Sequence, residues 1–157
     1  MPEYRSQIEE GFRRAGGSET SGKWWDSFEF QASVTVNVTD DVRTAFRAMK
    51  PGIALYVGGM GHKNMNFHKQ QMIARGYGET AERIQELYLA GRKAEALEEI
   101  PDEYCDEGSL VGSKERIKER FKVWADSGIT GLTVNTKETE ALELMAKIAD
   151  IAPVHAQ

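Results

Sequence analysis

A single cysteine, Cys105, occurs among 157 residues. One thiol excludes an intrachain disulfide framework and any zinc site built on cysteine pairs, so a reducing compartment is expected. Nowhere do 18 apolar residues run together, which leaves no candidate membrane-crossing helix. The N-terminus, MPEYRSQIEEGFRRAGG, is charged and helical in pattern and has no apolar stretch of the signal-peptide kind. Basic excess is missing too: 20 Lys and Arg stand against 25 Asp and Glu, a formal net charge of -5. With cations spread along the chain, that balance excludes the counterion-releasing face of a nucleic-acid module. A soluble, cytoplasmic, single-domain protein with neither nucleic-acid nor membrane partners is expected, with 40 % hydrophobic residues to build a core.

The periodicity present is of two kinds. Ile8, Phe12 and Ala15 recur at helical spacing, with Pro2 suited to the first turn and Gly16–Gly17 as a stop. From Phe28 to Val38 apolar and polar residues alternate, which predicts a strand. Thr39, Asp40 and Asp41 then supply a cap and an acidic first turn to a second helix, along which Val42, Ala45, Phe46 and Met49 form a stripe. Pro51 kinks or restarts that helix, and IALYV continues as helix or pairs as a short strand, helix being favoured.

Further on, helices are predicted over about 64–75 and 79–90, with Gly91 as the residue past the second. Another helix is predicted over 93–100, closed by Pro101. The acidic run around Cys105 reads as a solvated turn, and its charges argue against a reactive thiolate. Ser113 caps a helix carrying Ile117, Phe121 and Trp124, which Gly128 ends. ITGLTV, 129–134, suits a buried parallel strand, and Thr136 is expected to cap a last helix. More than eighty residues separate the two strands, a length that fits a parallel crossover.

Candidate chemistry gathers between Tyr56 and Leu110, a helical insertion after the first strand. Gly58, Gly59 and Gly61 let backbone amides approach a phosphate; the alternative is a helix-ending turn that needs positive φ. The spacing matches neither a dinucleotide fingerprint nor a P-loop. His62, Lys63, Asn64 and Asn66 then offer a titratable donor, a cation and two amides beside Met60, Met65 and Phe67. That mixture suits an anionic cofactor tail or a polar substrate, or equally an exposed loop capping the next helix. Arg75 is a phosphate ligand or a solvated helix terminus. His62 and His68 are six residues apart, off the spacing of a helical metal pair, so no metal is expected. Trp24 and Trp25 read as structural packing.

Three stretches, VTVNVTDDVRTAFRAMKPGIALYVGGMG, NFHKQQMIARGYGETAERIQELYLAGRKAEAL and LVGSKERIKERFKVWADSGITGLTV, together resemble the luciferase-like monooxygenase superfamily, in its coenzyme F-420 (deazaflavin) dependent oxidoreductase branch. The resemblance implies an α/β fold, the C-terminal portion of a (β/α)8 TIM-type barrel of about 250 residues. Phe28–Val38 would be strand seven, Ile129–Val134 strand eight, and the segment between them an insertion shaping the substrate pocket. Barrel active sites lie at the C-terminal strand ends, which places Asn37, Thr39, Asn135 and Thr136 toward that face. It further implies coenzyme F-420 or FMN as cofactor and hydride transfer or monooxygenation of a small organic substrate. Catalytic groups would lie mainly outside this chain. The alternative is a non-catalytic relative that self-associates or joins a companion barrel chain.

Overall fold

The computed structural model describes residues 2–62 and 64–151. It is a mixed α/β chain that divides into two compact units, one of Met1–Val38 with Leu110–Gln157 and one of Thr39–Ser109. Among the described residues no helix is long and apolar enough to cross a membrane.

The first unit is built on a three-stranded parallel sheet in the order β2-β1-β3, of β1 (Gln31–Val38), β2 (Ser109–Gly112) and β3 (Gly131–Asn135). β1 and β3 pair in parallel from Gln31 opposite Gly131 to Thr35 opposite Asn135. The strand expected from alternation and the strand expected from the apolar run ITGLTV are both present and shorter than read, but β3 reaches Asn135 and is half-exposed rather than buried, because it lies at an edge of the sheet. β2 was not expected: four residues show no period, and they lie directly before the helix cap at Ser113. Alternation along β1 sends Val34 and Val36 to one face. There they pack with Leu110, with Ile117 of α7 (Lys114–Ala125), and with Ala141, Leu144 and Met145 of α8 (Thr139–Ile148). Each buried Val, Leu, Ile or Met side chain among these contributes about 1.5–3 kcal/mol.

Helix ends in this unit follow local chemistry. The Ser113 hydroxyl accepts from Arg116 N at 3.2 Å, and Gly128 takes a positive φ of 84° after α7. Thr136 is not the cap of α8. Its hydroxyl accepts from Glu138 N, and the helix starts only at Thr139. The amphipathic helix α1 (Pro2–Arg14) presents Phe12 to Trp24, Trp25 and Phe28, with ring centroids 5.1–5.5 Å apart. The Trp25 indole donates to Glu9 at 3.0 Å. The tryptophans are therefore packing residues, as their position suggested.

The described residues of the second unit form the helices α2 (Val42–Ala54), α3 (Phe67–Ala74), α4 (Gly78–Leu89), α5 (Lys93–Glu98) and α6 (Asp102–Glu107). Asp41 caps α2 by accepting from Thr44 N at 3.0 Å, and hydrogen bonding from the Thr44 side chain and then from its amide holds its carboxyl below the usual range. Pro51 does not stop α2. IALYV stays helical, but the chain loosens into one wide π-type turn over Leu55–Gly59. At the end of α4, Gly91 has φ 79°, and the amides of Gly91 and Arg92 return to Tyr88 O and Leu87 O. This is a Schellman closure.

One expectation fails here. The acidic run around Cys105 is helix α6, not a solvated turn, with Pro101 at its N-cap and acids in its first turn. Acidic residues there complement the helix dipole, which is why a charge-rich sextet is helical. Cys105 is buried on it, and its thiol is pushed up to about 11, chiefly by loss of water.

Candidate functional site

The turn from Leu55 to Asn66 is held by Asn66, which is almost fully buried. A π-type turn leaves carbonyls without the usual i+4 partner. Asn66 Nδ2 donates to two of them, Tyr56 O at 3.0 Å and Val57 O at 2.7 Å. Its Oδ1 accepts from Lys69 N at 3.0 Å, capping α3. All three of its contacts are inside the protein, so it fixes the turn.

Gly58 and Gly59 lie against Tyr88 of α4. A β carbon at Gly58 would sit 2.5 Å from Tyr88 Cβ, and one at Gly59 2.5 Å from Tyr88 Cε1. Their bare α carbons are filled by this ring, with no open cradle on that side. Gly61 has φ 82°, the left-handed conformation that a side chain resists. It turns the chain into a tight loop in which Met65 N donates to His62 O at 2.8 Å and His62 Nδ1 accepts from Asn64 N at 3.2 Å. His62 and Asn64 are exposed. Lys63 lies outside the described residues.

Arg75 is separate from this turn. It donates to Glu107 at 2.6 Å and lies 4.1 Å over the Tyr104 ring, while Tyr77 donates to the other Glu107 oxygen at 2.7 Å. That bond raises the Tyr77 pKa. The arrangement ties the end of α3 to α6. The structure thus gathers Gly58, Gly59, Gly61, His62, Asn64 and Asn66 and leaves Arg75 elsewhere.

Around the turn stand Met60, Met65 and Phe67, which the sequence set beside the polar residues, together with Tyr56, His68 and Lys69, to which it gave no binding role. Tyr56, Met60, Met65 and Phe67 are exposed, and the His68 ring lies 4.7 Å from Tyr56 and 5.8 Å from Phe67. Lys69 is buried, its ammonium 2.5 Å from Glu82 and 2.8 Å from Gln85. Phe67 and His68 open a helix, where apolar exposure is unusual, and that was the one available signal. For Tyr88 there was none.

In the first unit, the carboxyl-terminal end of the parallel pair is closed by Glu138, whose carboxylate accepts from Val38 N at 3.2 Å. Asn37 and Thr136 are half-buried beside this end of the pair and Asn135 is exposed. Thr39 accepts from Asp41 N at 3.0 Å, a turn contact in the second unit.

Residues 1–131 match the family model described as luciferase-like monooxygenase. The chain belongs to this family. A protein of Mycobacterium tuberculosis, provisionally named a coenzyme F-420-dependent oxidoreductase, is 34 % identical over 145 residues. That alignment covers 92 % of this chain and 41 % of the relative, so the chain spans less than half the relative's length. No solved structure matches the chain. Luciferase-like membership agrees with the mixed α/β architecture and its parallel sheet.

A fit to the anionic tail of a flavin or deazaflavin can be tested on the geometry. Gly58 and Gly59 are covered by Tyr88, Asn66 is saturated and Arg75 is paired with Glu107. These residues do not make a phosphate cradle. What the luciferase-like chain offers at this turn is an aromatic and thioether surface rimmed by His62 and Asn64.

Proposed function

We propose that this chain contributes the substrate-shaping segment of a cytoplasmic, luciferase-like oxidoreductase that uses coenzyme F-420 (deazaflavin) or FMN. The reaction is hydride transfer to or from a small organic substrate, or monooxygenation where flavin and oxygen serve. The observation that carries this reading is the turn over Leu55–Gly59 and the helix start at Asn66. Asn66 and Tyr88 brace it from inside, and it shows Tyr56, Met60, Met65 and Phe67 to the outside. A surface that is exposed, apolar and yet braced is preorganised for a ligand. Family membership and the relative's name support the cofactor class.

In this reading the turn and the loop at His62, Lys63 and Asn64 contact substrate, while Arg75 holds α3 to α6. The experiment is absorbance and fluorescence titration of the chain with coenzyme F-420 and with FMN, together with a solution mass. Micromolar binding with a spectral change is expected. Binding of neither would overturn the cofactor reading.

A second reading is favoured by one observation in the first unit. β3 is one of the two outer strands of the sheet, and an apolar groove of about 580 Å³ runs beside it, lined among others by Trp124, Leu132, Leu142 and Met145. An outer strand with an apolar flank is a pairing site. In this case the chain acts as a non-catalytic partner, joining a companion barrel chain or another copy of itself. A stable oligomer without cofactor binding would select it.

A further inference from the structure

We draw no further inference here: the strongest candidate, the apolar groove beside the edge strand β3 that Trp124, Leu132, Leu142 and Met145 line, carries none because nothing in the structure shows what covers it.

Discussion

The ring of Tyr88 occupies the space that side chains at Gly58 and Gly59 would need, with would-be β carbons 2.5 Å from Tyr88 Cβ and from Tyr88 Cε1 respectively. The two clashes differ in kind. At Gly58 the obstacle is the root of the tyrosine side chain, fixed by the backbone of α4. At Gly59 it is the far edge of a ring that can rotate.

Gly58→Ala is therefore expected to destabilise the protein by about 2–3 kcal/mol, the cost of overpacking, which lowers the melting temperature by about 6–9 °C for a chain of this size. Gly59→Ala should cost less. In a Tyr88→Ala background the Gly59 substitution should become nearly neutral while the Gly58 cost persists, because Cβ remains. A double-mutant cycle of thermal melts checks both; equal coupling at the two positions would contradict the geometry.

Asn66 is expected to be costly to replace. Asn66→Ala removes the cap of α3 and leaves Tyr56 O and Val57 O without a donor. A loss of about 2–4 kcal/mol follows from a missing cap and two orphaned carbonyls. Asn66→Asp keeps the cap acceptor but sets a carboxylate against those carbonyls. At neutral pH it should be no better than Ala, and it should recover below about pH 4 as the carboxyl gains a proton. Urea midpoints relative to the unaltered protein at both pH values measure this.

Lys69 gives a contrast between removing and reversing a charge. Its ammonium is buried, whereas its partner Glu82 is largely exposed. Lys69→Met keeps the apolar stem and lets Glu82 return to water, so a cost of about 1–2 kcal/mol is expected, from the lost bond to Gln85. Lys69→Glu buries a second negative charge beside Glu82 and should cost about 3–5 kcal/mol. Chemical denaturation of the two variants separates them.

Cys105 predicts a pH dependence. The thiol ionises near 9.0 when exposed and near 11 in the folded chain, mainly because burial strips its water. The folded value is raised, so between these two pH values the unfolded state ionises first. The contribution is full below pH 9 and is lost as pH rises through about 11. Cys105→Ala should flatten this alkaline limb in denaturation curves from pH 8 to 11. The same burial predicts that a thiol reagent at pH 8 reacts with the unfolded chain and scarcely with the folded one.

Much of the architecture was legible because its causes are local. Alternation announced β1, the Asp41 and Ser113 caps announced α2 and α7, and Gly91 and Gly128 announced helix ends through the positive φ they supply. Where the reading failed, the deciding partner lay outside the window. β2 is four residues long and exists because β1 offers it an edge; the start of α8 moved to Thr139 while Glu138 reached Val38 instead. The acidic sextet of α6 was misread because its charges suggested solvent, although helix propensity and dipole favoured a helix.

The candidate site divides in the same way. The sequence by itself marked the residues from Gly58 to Asn66 as special, since clustered glycines and amides beside a helix start are visible in one dimension. It also carried the family likeness, because a family match depends on residue order alone. Only the tertiary structure decided which of these residues point outward. Tyr88 fills the glycine faces, Asn66 is consumed within and Arg75 is spent on Glu107, each through a partner 9 to 32 positions away. Such pairings depend on how helices pack, which the residues near any one position do not encode.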